Sequence, residues 1–243
     1  MTLVLMACVA VLAGAVVRGY TGFGASMFWV ASLSLIYAPA SVVPTVLMLE
    51  VVSSLVLLPS VIGHVQWRSM SWMLAATIVT MPFGVALLAV LPERPMRVVV
   101  AAAILLATLA LVGGVKLAGE PGRRTALTAG SVSGLVNGST GIGGPPAVLL
   151  YFSGDTEAKV GRATLIAYFL ATDAIGSIYM ALYGLVDMSV LTHAAIFAPL
   201  ALVGIALGQH VFGRTGGSGF RGVVVTVLLV LSVAMLARAT VFD

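Results

Sequence analysis

Gly134-Leu135-Val136-Asn137-Gly138-Ser139-Thr140-Gly141-Ile142-Gly143-Gly144-Pro145-Pro146 sets helix breakers, hydroxyls and an amide between two strongly apolar runs. An earlier stretch, Arg18-Gly19-Tyr20-Thr21-Gly22-Phe23-Gly24-Ala25-Ser26, echoes it. Superposed, Gly19, Thr21, Gly22 and Gly24 fall on Gly138, Thr140, Gly141 and Gly143, four identities at one constant offset of 119 residues. So short a window does not repeat in this way by chance. The chain reads as an internal duplication, with a first membrane repeat over residues 1–118 and a second over 119–243. So long a period excludes a solenoid and suits the two-fold repeats of membrane transporters.

Composition points the same way. Of 243 residues, 60% are hydrophobic and 8% charged, with a mean hydropathy of +1.16. A soluble domain needs more charge than this, whereas a polytopic membrane protein does not. The net charge of +4 comes from basic residues in short loops between apolar runs, where they set orientation. No basic patch interleaves with aromatics, so nucleic acid is not an expected partner. Cys8 is the single cysteine and lies in an apolar run, so no internal disulfide forms. His64, His193 and His210 are too scattered for a metal cluster, and no cofactor motif is visible. The apolar N-terminus lacks a positive leader and a small-residue cleavage site, and reads as a retained membrane segment.

Taken in order, residues 3–17 form an apolar run of 15, about 22 Å as a helix and short of the roughly 30 Å hydrocarbon core. The first motif follows, then a second short run to Tyr37, stopped by Ala38-Pro39. Two short helices around a glycine-rich break suit a hairpin better than one span. Full spans are expected at 42–62, at 71–91 with kinks at Pro82 and Gly84, and at 97–115. Lys116–Thr125 is the linker. The second half repeats the order: a short run at 126–136, the motif at 137–146, its second arm from 147, and a charged loop with Asp155, Glu157, Lys159 and Arg162. Spans at 164–184, 190–211 and 222–240 complete it. Weaker echoes pair Gly63-x-Val65 with Gly184-x-Val186, and Arg97 with Arg221.

Charge placement tests the hairpin. If each motif segment enters and returns on one side, each half crosses three times and the halves are inverted. One face then carries Arg68, Lys116, Arg123, Arg124, Lys159, Arg162, Arg214 and Arg221, and the other Arg94, Arg97 and Arg238. Eight against three is the bias expected between cytoplasmic and external faces. A single crossing by each motif helix gives six against five, and no bias. The rule favours hairpins, inverted repeats and both termini outside the cytoplasm.

Irregular backbone at membrane depth persists only where protein or a water-filled cavity satisfies it. Glycines let backbone amides approach a ligand, and a helix starting at Pro145-Pro146 points free N–H groups back at the break. Two such helix N-termini converging on one point favour an anion. The expected substrate-binding set is Arg18, Thr21, Gly22, Gly24, Ser26, Asn137, Ser139, Thr140, Gly141, Gly143, Gly144 and Pro145. Arg18 supplies a full positive charge, and Asn137 is its neutral counterpart. The competing reading is that the glycines only let helices pack closely, which suits Gly14 or Gly134 alone. The clustering of Gly, Thr and Pro in paired motifs favours a site. A nucleotide fingerprint lacks its strand, its distal acid and its lysine. Asn137-Gly138-Ser139 fits a glycosylation acceptor but lies at membrane depth.

Two acids fall inside spans on corresponding helices, Glu50 and Asp173. A carboxylate there faces a cavity or a partner, which makes each a candidate proton-coupling group. The plainer readings are a structural hydrogen bond or a pair with Arg18. Glu50 shares a face with Ser53 and Ser54, and Asp173 with Ser177, beside a stripe from Tyr168 to Thr172. Gln209 and His210 close a span and read as interfacial.

At Arg18–Ser26 and Asn137–Pro146, each opening one half, the sequence resembles the TauE/SafE family of bacterial membrane proteins, the resemblance extending to length, repeat and spacing. It implies a plasma-membrane carrier for small sulfur-containing anions such as sulfite, sulfoacetate or aryl sulfonates. The first motif departs from the second at Ala25-Ser26, where Gly144-Pro145 stand in the other, so the half-sites should contribute unequally. The expected molecule is therefore an all-α polytopic membrane protein of two inverted repeats, each a broken-helix hairpin plus three transmembrane helices. It would carry its anion with protons by alternating access, embedded in the lipid bilayer of the inner membrane, with a homodimer left open. An anion channel would share the same cavity. A cation exporter would use Glu50 and Asp173, against the sign of the helix termini. A membrane enzyme lacks a nucleophile–base pair.

Overall fold

The computed structural model describes residues 2–113, 122–152 and 157–215. Among them run nine α-helices: α1 (Thr2–Thr21), α2 (Ala25–Leu33), α3 (Pro39–Leu57), α4 (Trp67–Val90), α5 (Glu93–Val112), α6 (Arg123–Thr140), α7 (Gly144–Phe152), α8 (Ala158–Leu182) and α9 (Met188–Thr215). Segments long and apolar enough to cross a membrane lie within α1, α4, α8 and α9, and over α3 with the turn that follows it to Ser60. The side chains left outside are large hydrophobics, such as Leu5, Val79, Phe83, Ile178 and Leu182, as lipid contact requires. The span expected at 222–240 lies outside the described residues.

Several element bounds differ from the sequence expectation for one reason: hydropathy falls at a charge, but a helix need not stop there. The first apolar run ends at Val17, yet α1 continues through Arg18 to Thr21, about 30 Å at the usual rise. Its length alone therefore does not argue for a re-entrant helix. Arg123 and Arg124, placed in the linker, open α6. Lys159 and Arg162, placed in a charged loop, lie in the first turns of α8, and Arg214 lies in the last turn of α9. Pro82 is accommodated inside α4.

The hairpin itself is present. The Trp29 indole N–H in α2 donates to the Val11 carbonyl in α1 at 2.8 Å, so α2 doubles back along α1 after the break. Gly14 makes room for that ring, since a Cβ there would lie 2.4 Å from Trp29 Nε1. Helix bounds recur at the offset of the motifs. Thr21 and Thr140 end α1 and α6; Ala25 and Gly144 open α2 and α7; Pro39 and Ala158 open α3 and α8, each pair 119 residues apart. Packing recurs too. α1 lies against α9 and α6 against α4, while α3 packs on α8. In both outer contacts glycine backbones touch: a Cβ on Gly19 would lie 2.2 Å from the Ile205 carbonyl oxygen, and one on Gly138 would lie 2.4 Å from that of Met81. Facing them, Gly208 meets Gly19 and Gly84 meets Gly138. Gly134 belongs to the same seam, against Thr77 and Thr80, so its role is packing.

Candidate functional site

Both breaks begin with the same backbone step. Gly22 (φ +83°) and Gly141 (φ +70°) take the left-handed conformation that lets the chain leave a helix, which glycine adopts without a Cβ penalty. Their N–H groups close the last turns on the carbonyls of Arg18 and Asn137. Each break then packs against the third helix of the other half. Gly141 meets Val43 and Leu47 of α3, while Gly22 meets Arg162 of α8, the residue 119 positions beyond Val43.

One turn before the first break, Arg18 is 1% exposed and forms an ion pair with Glu50, itself 2% exposed. Its Nη2 also donates to Ser54 Oγ at 2.6 Å, and its guanidinium carbon lies 6.0 Å from the centroid of the Phe169 ring. The Glu50 carboxylate also faces the backbone amide of Ser26, in the first turn of α2. Two atoms of the pair, Arg18 Nε and Glu50 Oε1, are buried without a hydrogen-bond partner.

One turn before the second break, Asn137 holds two groups at once. Its Nδ2 donates to Asp173 Oδ1 at 2.8 Å, and its Oδ1 accepts from the Gly143 N–H at 3.0 Å. Ser133 Oγ donates to the Gly143 carbonyl at 2.7 Å and accepts from the Tyr168 hydroxyl at 2.8 Å. Thr77 Oγ1 lies 2.7 Å from the Tyr168 hydroxyl and 3.0 Å from the Gly130 carbonyl. The peptide at Gly143 is thus held on both sides by side chains from α6, themselves braced by α8 and α4. The two clusters meet, because Asp173 lies within electrostatic reach of both Glu50 and Arg18. Asp173 and Asn137 are each 3% exposed.

The structure therefore brings together Arg18, Glu50, Asn137 and Asp173. The hydroxyls of the motifs bond differently. Thr21 Oγ1 donates to the Val17 and Phe23 carbonyls, Thr140 to that of Val136, and Ser139 to those of Leu135 and Val136, all within their own segments. Gly24 (φ +88°) precedes α2, and Ser26 sits half-buried in its first turn. Gly144 opens α7 beside Phe169, with Pro145 buried behind it. Phe169 thus lies between Arg18 and the start of α7.

Three residues carry more than their sequence positions suggested. Ser133, four residues before Asn137 on the same helix face, was legible from spacing alone. Arg162 rests against the Gly22 backbone inside α8. Arg97, counted among loop charges, is 6% exposed within α5. It donates to the Ser34 and Tyr37 carbonyls and pairs with Glu93, tying the end of α2 to α5. An arginine opening an apolar run was the available signal.

Among the described residues no group of acids, histidines and cysteines could hold a metal. No solved structure matches the chain. A probable sulfite/organosulfonate exporter TauE from Cupriavidus necator is 28% identical over 207 residues, covering 82% of this chain and 80% of that protein. The family model of the sulfite exporter TauE/SafE matches residues 6–235, both motifs and the four central residues included. On that match, with its five apolar helices, the chain belongs to the sulfite exporter TauE/SafE family of multi-pass membrane transporters and is not an enzyme.

Proposed function

We propose that the chain is a secondary transporter of small sulfur-containing anions, such as sulfite, sulfoacetate or other sulfonates, across the inner membrane. The observation that supports this most is Arg18, a fully buried cation one turn before the first helix break, held by Glu50 and Ser54 in a cluster of buried polar groups. A charge at that depth needs a partner, and an anionic head is the partner that a carrier would bring. The name of the Cupriavidus necator relative adds sulfite and organosulfonates to the reading.

The working cycle is alternating access between two inverted halves, residues 1–118 and 119–243, with both termini external. The motif residues from Arg18 to Ser26 and from Asn137 to Pro145 surround the anion, and Glu50 or Asp173 exchanges a proton. In this cycle Asn137 and Ser133 keep the Gly143 peptide in place while helix N-termini of α2 and α7 face the charge.

Thermal-shift screening of the purified protein with sulfite, thiosulfate, sulfoacetate, taurine and benzenesulfonate tests the substrate class. Proteoliposome flux at two pH values then tests the mode of transport. Saturation, counterflow and acceleration by a proton gradient are expected. Flux without saturation would mark a channel, and stabilisation by cations alone would overturn the anion reading. Gly143→Leu, whose Cβ would fall 2.7 Å from Asn137 Cβ, is expected to abolish transport.

A further inference from the structure

We propose that Glu50 is the chain's own stand-in for the substrate's anionic head, holding Arg18 until an incoming anion takes its place and Glu50 takes a proton. The inference rests on the anion-transport reading above and decides between the two carboxylates that the reading left level.

The two acids are held differently. Glu50 is paired to a full cation, whereas Asp173 is bonded to the neutral amide of Asn137. Releasing Asp173 frees no charge for a substrate. Releasing Glu50 frees the guanidinium. The pair is also incompletely bonded, since Arg18 Nε and Glu50 Oε1 have no partner although both are buried. An ion pair kept only for the fold needs its remaining lone pairs and N–H groups satisfied, because burial otherwise penalises it. With Nε already free, release of Glu50 from Nη1 would give an oxyanion two guanidinium nitrogens to accept from.

The exchange balances. The Arg18–Glu50 contact opens, an Arg18–anion contact forms, and one proton moves from water to a Glu50 carboxylate oxygen. The site gains one negative charge from a monoanion and one positive charge from the proton, so its net charge is unchanged. Opening the pair without both arrivals would strand a buried charge. Anion and proton therefore bind together and cross in the same direction. The charged and polar groups around Glu50 are Arg18 from α1, the Ser26 amide from α2 and Asp173 from α8. Around Asp173 stand Asn137, Thr172, Arg18 and Glu50. Among the described residues Arg18 is the cation that acts on both carboxylates.

The test is calorimetric titration of the full-length protein with benzenesulfonate and methanesulfonate, monoanions whose charge is fixed through the neutral range. Buffers of different ionisation heat report the protons taken up. Wild type is expected to take up one proton per anion, with affinity falling about tenfold per pH unit above the transition. Glu50→Gln should bind without proton uptake, independently of pH, and at least about tenfold tighter than wild type at alkaline pH. Asp173→Asn should retain the uptake. Should Glu50→Gln loosen the fold, the anion should raise its Tm more than that of wild type, because it restores the missing charge. Absence of proton uptake in wild type, uptake that survives Glu50→Gln, or uptake lost only in Asp173→Asn overturns the proposal while leaving anion transport intact. Failure of wild type to bind any anion removes the transport reading itself.

Discussion

The two half-sites have one geometry and different chemistry. Arg18 donates to Ser54, and Asn137 donates to Asp173; each donor precedes its acceptor by 36 residues. At the helix offset of 119, Asp173 therefore matches Ser54, and the place of Glu50 is taken by Phe169. Glu50 and Asp173 lie on corresponding helices but one turn apart. The first half carries a cation, a hydroxyl and a carboxylate, and the second an amide, a carboxylate and an aromatic ring. The same frame thus holds a charged pair on one side and a neutral donor on the other. Arg162 opposite Gly22, where Val43 faces Gly141, extends the imbalance to the breaks themselves. Positive charge is thus gathered around the first motif, whereas the second motif fixes the Gly143 backbone.

Substitutions can break this comparison. The largest effect is expected from Arg18→Gln, which strands Glu50 and should cost about 3–5 kcal/mol of stability and all transport. Chemical denaturation in detergent measures the first, proteoliposome flux the second. Adding Glu50→Gln should recover much of the stability and none of the transport. Asn137→Ala comes next. It leaves the Gly143 N–H without a partner and takes one donor from Asp173, a loss of about 3 kcal/mol if each unmade bond carries its usual cost. A stability loss equal to that of Arg18→Gln would show that charge does not distinguish the halves.

Gly19→Ala and Gly138→Ala sharpen the likeness rather than the difference. Each Cβ would run into a backbone carbonyl, so the two should cost about 2 kcal/mol apiece and agree within error. A large disparity in thermal unfolding would mean that the two glycine seams are not equivalent. The smallest effect returns to the asymmetry. Ser54→Ala removes an acceptor from a guanidinium, about 1.5 kcal/mol, whereas Ser177 bonds only the Asp173 carbonyl one turn back and should change stability by about 0.5 kcal/mol or less.

Much of this site was legible in the sequence because polar residues are rare in an apolar chain. The paired motifs, the 119-residue offset, Arg18 with its counterpart Asn137, and the two intramembrane acids all declare themselves by contrast. A pair between Arg18 and an acid was among the plain readings of Glu50 and Asp173. What could not be read was the choice of partner. That choice depends on which faces of α1, α3, α6 and α8 turn inward, and no hydropathy pattern fixes it in α1 and α3, which are apolar all round. The relay from Thr77 through Tyr168 to Ser133 joins three helices and has no local signature. The reach of α1 and α6 past their apolar runs was hidden for the opposite reason, since an arginine lowers hydropathy without ending a helix.

The glycine seams have a consequence for how the chain is made. The partner of α6 is α4, already synthesised when α6 emerges, so that contact can close at once. The partner of α1 is α9, which follows it by more than 160 residues. The earlier helix of this pair therefore docks late, and its glycine face must wait in the bilayer until α9 has followed.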